Sequence, residues 1–366
     1  MPNAAQNLIS AGLYLQGGLF NSTRAVAPIT NFLESYEMKG TSYNTVGLVG
    51  LPTAGGFRYI GEGGVASSIA YAVGKVEASR VYSIVEEEKS TTDKMNDDIR
   101  EALARGEVPD WLTANIQAKL LVDLEHNDKQ IIKGVSNDAK GFIGLRDAVD
   151  PTEADNVLSM TESPNLTNYS KSCLNVGGSA ASTGSRIYLI SMGLRGVCQR
   201  MGGPSGLANF LRFAPVTVHR DKYTDPLDSI EKVREIYHTS AEGYIGLSIF
   251  GDSRGTSRTF VQRVLRVAFN ITAQAGFTAT EAVFDALLNS MPKEMRSSLA
   301  FIASNRSRRQ LRDSKAGNTQ VNISLQPGDA AMRTFTTIPD LPDNHRGIPI
   351  IESDHISDTD TIITPA

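Results

Sequence analysis

Apolar residues recur at every fourth position through the stretch DWLTANIQAKLLVDLEHNDKQIIKGV, from Asp110 to Val135. Leu112, Ile116, Leu120 and Leu124 form a stripe that Leu121, Ile131 and Ile132 widen. Asn115, Lys119, Asp123 and Asn127 take much of the opposite side. This spacing predicts an amphipathic helix. Pro109 stands just before it, where a missing N–H costs little, and Gly134 follows the last strongly periodic residues, so the helix is bounded at 110–134. At 1.5 Å per residue it is roughly 37 Å long and needs a sheet or a second helix laid along its stripe. The pattern reads as a rod on which other segments pack, not as a site.

The remaining elements arrange themselves around that rod. Residues 1–45 are rich in Asn, Ser and Gly with scattered hydrophobes, which fits an extended arm lying on something else. Thr45 to Gly64 reads as a hairpin around Pro52-Thr53-Ala54-Gly55-Gly56. Ile69 to Val85 reads as strand, ended by a solvated turn at Glu86-Glu87-Glu88. Thr92 to Arg105 reads as a shorter helix, with Met95, Ile99 and Leu103 four apart and Gly106 as its stop. Residues 150–185 are polar and end in GGSAASTGS, a loop or linker composition. Arg186 to Ile271 then turns strand-like and is read as a β-rich insertion or part of a larger domain. A helix follows from Thr278, where Thr278-x-x-Glu281 offers a capping box, with Val283, Phe284, Leu287, Leu288 and Met291 as its core face. Leu299 to Ala303 is a short buried strand running into a basic helix at Asn305–Arg312.

Composition sharpens this picture only a little. The chain has 366 residues, enough for two or three modules and a sizeable core. Its 32 glycines favour turns and extended arms over a compact enzyme. A net charge of −4 argues against a polycation that seeks phosphate over its whole surface. Two cysteines, Cys173 and Cys198, make no disulfide framework and lack metal-ligand spacing, in keeping with reduced thiols and a cytoplasmic origin. No basic, apolar leader opens the chain, and no run approaches the ~20 apolar residues of a membrane span.

Three clusters invite chemistry. Gly251-Asp252-Ser253-Arg254-Gly255 is a literal G-x-S-x-G after an apolar strand, so a serine hydrolase with Ser253 as nucleophile is one reading. Against it, the upstream half lacks alternating strand–helix units and a glycine-rich oxyanion segment, and Asp-Ser-Arg-Gly is good turn sequence. Gly61-Glu62-Gly63-Gly64 and Gly202-Gly203-Pro204-Ser205-Gly206 match no phosphate-binding fingerprint, and the five histidines show no metal spacing, so neither cofactor nor metal is expected. The basic cluster Arg306, Arg308, Arg309, Arg312 and Lys315 has no interleaved aromatics. It suits pairing with carboxylates on its own or a neighbouring subunit better than stacking on nucleic acid.

The order of these pieces resembles the major capsid proteins of tailed bacteriophages, with their Hong Kong 97-type fold. Four blocks carry the resemblance from about Glu34 to Thr361. The hairpin ending in Gly56-Phe57-Arg58-Tyr59-Ile60-Gly61-Glu62-Gly63 is similar to the "G-F-R … E-G" signature near that family's extended loop. The long helix is followed by Gly141-Phe142-Ile143-Gly144-Leu145-Arg146, like the family's F-x-G-L after its spine helix. Ser185 to Ile190, Gly246 to Ile249 and Arg263 to Ile271 resemble the "S-I-W-L-V … G-L-x-V … R-V-x-R-I-x-N-I" section of one subgroup. Ala303 to Leu311 resembles "M-N-R-x-x-R-x-x-L", followed by Gly347-Ile348-Pro349-Ile350 and Ser353-Asp354, like "G-I-P-I … x-D-x-I". Gly251 to Gly255 departs from the subgroup and is read as loop variation.

The resemblance implies an α+β capsid fold. Its parts would be an N-terminal arm at 1–45, an extended hairpin loop at 46–68, and a peripheral domain at 69–185 with the spine helix 110–134. Residues 186–271 would be a β-rich insertion or part of the axial domain, and 272–366 the axial domain with a return to the peripheral one. It further implies a non-catalytic protein of the virion capsid, assembled in the host cytoplasm. Pentamers and hexamers of the chain would close an icosahedral shell around double-stranded DNA on its inner face. Scaffold, portal and decoration proteins would be partners, and a membrane would not. Phe57, Arg58 and Glu62 are expected as loop contacts, and Arg306, Arg308 and Arg309 as an inter-subunit or fold-bracing cluster.

Overall fold

The computed structural model describes residues 27–38, 42–50, 70–105, 110–149, 151–152, 157–160, 171–202, 211–224, 231–249, 264–291, 296, 298–318 and 341–364. The chain divides into two compact units, each stitched from separate stretches of sequence. One comprises residues 1–43, 76–144 and 199–247; the other comprises 44–75, 145–198 and 248–366. No helix among the described residues is long and apolar enough to cross a membrane.

The first unit is built on the long helix. In chain order its elements begin with α1 (Pro28–Phe32), β1 (Ser35–Glu37), β4 (Ser79–Glu88), α2 (Lys89–Asp98) and α3 (Arg100–Ala104). Next come α4 (Trp111–Lys133), the end of β8 (Val197–Gly202), β9 (Arg212–Phe213), β10 (Thr217–Thr224) and β11 (Glu231–Ile249). Helix α4 starts at Asp110, whose carboxylate accepts from the Thr113 amide at 3.0 Å, and stops at Gly134, as its spacing predicts. Leu112 and Ile116 bury against Val85 of β4, with Phe213 and Tyr237 packed beside them. Further along, Leu120, Leu124, Ile131 and Ile132 are buried. The polar side is not wet throughout, because Asn127, Asp128 and Gln130 are buried too.

The sheet of this unit runs β1-β8-β11-β10, with β4 and β9 also pairing to β11. The 19-residue β11 is its spine, antiparallel to β10, β4 and β9. The sequence places a turn at Glu86-Glu87-Glu88, but β4 continues through all three, opposite His238, Tyr237 and Ile236. The run alternates: Glu86 meets His238 at 3.0 Å, and Glu87 accepts from Asn115 of α4 at 2.9 Å. Glu86 and Glu88 stay exposed, as composition suggests, but on a paired strand and not in a turn. The segment from Ala27 is likewise no loose arm. Ala27, Ile29 and Leu33 are fully buried, and β1 runs parallel to β8.

The second unit holds a seven-stranded mixed sheet in the order β14-β15-β13-β7-β12-β6-β5. Its strands are β5 (Val157–Ser159), β6 (Cys173–Asn175), β7 (Ser185–Ser191), β12 (Leu265–Ile271), β13 (Leu299–Ala303), β14 (Asn344–His345) and β15 (Ile348–Glu352). Every residue of β7, β12 and β13 is buried, so these central strands read as near-continuous apolar runs. Helix α5 (Glu281–Ser290) sets Val283, Phe284 and Leu287 onto that sheet, with Phe284 4.9 Å from Phe301 edge-to-face. Helix α6 (Asn305–Asn318) adds Leu311. The capping box at Thr278 does not form: Thr280 occupies the cap position, and the Glu281 amide that Thr278 would have capped donates to Ser314 of α6 at 3.3 Å. Strands β2 (Ser42–Gly50) and β3 (Ala70–Glu77) form a separate two-stranded sheet.

Two sequence boundaries move. Residues 150–185 contain β5 and β6, three residues each, too short to leave a periodic signal. Residues 186–271 do not stand apart: β7 is central in one sheet and β11 in the other, so the stretch divides between the units at residues 198/199 and 247/248.

Candidate functional site

The basic helix α6 begins where β13 ends. Ser304 caps it, accepting from the Ser307 amide at 3.3 Å, and its hydroxyl donates to Asp358 at 2.7 Å. Arg306 then turns its guanidinium to three backbone carbonyls. It donates to Asp358 O at 2.8 Å, Thr183 O at 2.8 Å and Ile271 O at 3.2 Å, and its Nε lies 3.4 Å from the Asp358 carboxylate. One side chain thus joins the C-terminal segment, the turn before β7 and the end of β12.

Arg308, two residues on, is buried and donates to the Glu352 carboxylate of β15, to Asp343 at 2.6 Å and to Pro342 O at 3.2 Å. Gln310 adds a bond to Thr272 O at 2.9 Å. Arg309, between them, faces solvent, and Arg312 pairs with the adjacent Asp313 at the surface.

The segment that Arg306 grips, Ser353 to Ile363, is a strap across the sheet. Gly184 and Asp360 exchange backbone hydrogen bonds at 3.0 and 2.8 Å. The Asp360 carboxylate meets Arg186 at 3.2 Å and Arg146 at 3.5 Å. Asn270, in a left-handed conformation with φ 58, presents its amide to the strap like a short strand: it donates to Ile363 O at 2.7 Å and accepts from Ile363 N at 2.9 Å. Nearby, Asp285 joins His345 at 2.8 Å and the Arg346 guanidinium. Burial works to raise the Asp285 carboxyl, but those two hydrogen bonds outweigh it and hold it below the ordinary carboxylate range.

Guanidinium groups aimed at carbonyls and carboxylates hold segments together; they offer neither a nucleophile nor a base. Among the described residues no group of His, Cys, Asp and Glu could hold a metal ion. His219 and His238 stack edge-to-face at 5.1 Å on the β10–β11 ribbon, His126 lies 3.7 Å from Asp138 at the surface, and His345 is buried. Phe57, Arg58, Glu62 and Ser253 lie outside the described residues. The strand leading towards Ser253 is β11, whose sheet partners β10, β4 and β9 are all antiparallel to it, whereas a nucleophile elbow rises from a hydrolase's strand–helix units. Nothing among the described residues supports the hydrolase reading.

A second constellation lies in the first unit, on the helix read as a plain rod. Asp128, fully buried, accepts from the Thr30 amide of α1 at 2.6 Å. Asn127 donates to the Thr30 hydroxyl at 2.9 Å, and Gln199 of β8 donates to Thr30 O at 2.8 Å. At the end of the same helix Gln130 donates to Phe142 O at 2.6 Å and accepts from Asn137 at 2.9 Å, closing the Gly141-Phe142-Ile143-Gly144 loop. A sequence signal for Asp128 exists: the fourfold repeat Leu112, Ile116, Leu120, Leu124 runs on to it, placing a carboxyl in the apolar stripe.

A long capped helix laid on a sheet, and a second unit with a mixed sheet strapped by residues 353–363, make an α+β fold, which the likeness to a solved phage structure identifies as the Hong Kong 97 capsid type. The chain is similar to a chain in the solved structure of bacteriophage Epsilon15, with a TM-score of 0.50 and 15% identity over 90% of this chain and 88% of that one. The bacteriophage JBD30 capsid gives a TM-score of 0.39 at 12% identity, covering 88% of both chains. The holo-SrpI encapsulin complex of Synechococcus elongatus PCC 7942 gives 0.37 at 11%, covering 69% of this chain and 90% of that one. The fold assignment rests on the Epsilon15 likeness. No family model matches the sequence, and no curated protein matches it.

Proposed function

We propose that this chain is the major capsid protein of a tailed bacteriophage, a structural subunit whose pentamers and hexamers close an icosahedral shell around double-stranded DNA. The observation that carries the reading is the likeness of fold to the Epsilon15 chain across nine-tenths of the sequence. The internal bracing supports it. A shell subunit must hold its shape while its neighbours pull on it, and Arg306 and Arg308 lock the second unit through backbone carbonyls and carboxylates rather than serving a ligand. In this reading Phe57, Arg58 and Glu62 on the extended loop engage the adjacent subunit, and Arg309, exposed beside two braced arginines, is free to do the same. Scaffold, portal and decoration proteins are the further partners, DNA lies against the inner face, and assembly takes place in the host cytoplasm.

Electron microscopy of the purified chain, alone and co-expressed with its viral neighbours, tests this, with sedimentation alongside. Closed shells, or isolated pentamers and hexamers, are expected. A particle that stays monomeric or dimeric under every assembly condition, viral partners included, overturns the proposal.

A further inference from the structure

Helix α1 is short and starts at Ala27, which has no side chain able to cap it. The cap comes from elsewhere in the chain. Asp128 of α4, 98 residues away, accepts from the Thr30 amide at 2.6 Å, and the Ile29 amide and the Thr30 hydroxyl lie close enough to favour its charged form. Thr30 is completely buried, and its amide, hydroxyl and carbonyl are engaged by Asp128, Asn127 and Gln199. A carboxyl group is therefore the central fastening of the Ala27–Met38 segment to the long helix, at a place from which water is excluded. An ionised carboxylate there is opposed by desolvation, and a neutral carboxyl is not.

We propose that Asp128 is a proton-linked clasp: it holds the Ala27–Met38 segment on the long helix in its neutral form and loosens that hold when it ionises. Burial pushes its carboxyl up to about 7, against the hydrogen bonds from the Thr30 amide, the Thr30 hydroxyl and the Ile29 amide, which favour the charged form. The charged groups around it are few. Helix α1 carries no ionisable side chain; Glu34 precedes β1 and Glu37 ends it, and Arg200 of β8 lies over the Tyr36 ring at 5.3 Å. On α4 itself Glu125 is exposed and Lys129 half-buried, and Asp123 is taken up by Ser83 and Lys119. β4 and α2 engage α4 nearer its start, where Glu87 meets Asn115 and Asn96 meets the Trp111 amide. In the turn after the helix Asp138 lies near His126, and Lys140 is exposed.

The direction follows from linkage. A carboxyl with its folded-state pKa raised contributes stability that is complete below the unfolded value of 3.8 and is lost as pH rises through about 7. The clasp is thus tightest in mild acid and weakest from neutral pH upward. It stands independently of the shell reading.

Hydrogen exchange of the full chain, followed by mass spectrometry on peptides covering residues 27–38, tests it. Rates are corrected for intrinsic exchange, and the assembly state is checked at each pH. The parent's protection in this segment should fall by up to about tenfold per pH unit between about pH 5 and 7, then level off. Asp128→Asn, neutral and of the same shape, should give a flat profile. Thr30→Val removes a hydroxyl that favours the carboxylate, so its fall should move to higher pH. The clasp is overturned if the parent and Asp128→Asn share one profile, or if the parent's protection rises with pH. Should Asp128→Asn fail to fold, an unmoved Thr30→Val profile overturns it equally.

Discussion

Replacing Gly144 by alanine adds one carbon atom at the end of the spine helix, and the structure says where it would go. A Cβ there would lie 2.6 Å from Gln130 O, 2.6 Å from Gly134 N and 2.7 Å from Ile131 O. All three are backbone atoms of the helix end, so no side-chain rotation can make room. Gly144 does not have a positive φ, so the penalty is one of space and not of backbone conformation. Relief requires lifting the 141–144 loop, which gives up the 2.6 Å bond from Gln130 to Phe142 O and uncovers Phe142, now only 4% exposed. Overpacking costs about 1–3 kcal/mol, and a lost buried hydrogen bond about 1 kcal/mol more, so the change should cost about 3 kcal/mol. At about 2–4 °C per kcal/mol for a unit of this size, Tm should fall by about 6–12 °C in a thermal melt. Gly276→Ala is the comparator: φ is +87 but nothing lies within 4 Å of the added atom, so only the left-handed backbone penalty of about 1–2 kcal/mol applies. A Gly144→Ala protein melting within about 2 °C of the parent, or above Gly276→Ala, would refute the close-approach argument.

Substitutions at four further positions test the frame, the first three by urea denaturation. Leu120→Ala removes a buried stripe residue and should cost about 2–5 kcal/mol, whereas Val122→Ala, two positions away and facing solvent, should stay within about 0.5 kcal/mol. Arg306→Ala leaves three carbonyls without their donor and should cost about 2–3 kcal/mol. Arg306→Lys should recover little of that, since a point charge cannot serve the same fork. Asn270→Ala loses both bonds to Ile363 and strains a positive φ, so the strap should become the first cut in limited proteolysis; Asn270→Gly should recover only the backbone part.

The spine helix was legible because four residues at constant spacing can do little else, and both of its ends carried ordinary signals. The strand–helix succession from Leu299 was legible too, since a five-residue apolar run followed by an arginine-rich helix has few alternatives, although the helix read as ending at Arg312 runs on to Asn318. Which arginine does what was not. Arg308 lies three residues before the buried Leu311 and points inward, Arg309 lies one step round and points out, and only the helix phase separates them. The Glu86–Glu88 run was rightly read as solvated at Glu86 and Glu88 but wrongly as a turn, because the strand that continues β4 through it, β11, is far away in sequence. The buried Asp128 was visible as a break in the leucine stripe, but its partner Thr30 sits in a segment whose composition suggested a loose arm. Long-range pairing is what a single sequence hides.

The strap and its neighbouring strands carry a consequence for biosynthesis. In the second unit β15 lies parallel to β13, and the residues that fasten the sheet, Glu352, Asp358, Asp360 and Ile363, come later in the chain than every other strand of that sheet. A nascent chain that has already delivered β13 therefore exposes an open, wholly apolar strand edge until residues 348–363 emerge. Such an edge is a template for unwanted pairing, and closing it depends on contacts between residues more than 170 positions apart, as between Ser185 and Asp358. Contacts of that order make folding slow. The unit thus commits to its shape only once residues 348–363 have emerged, which leaves a window in which a chaperone's protection would decide the yield.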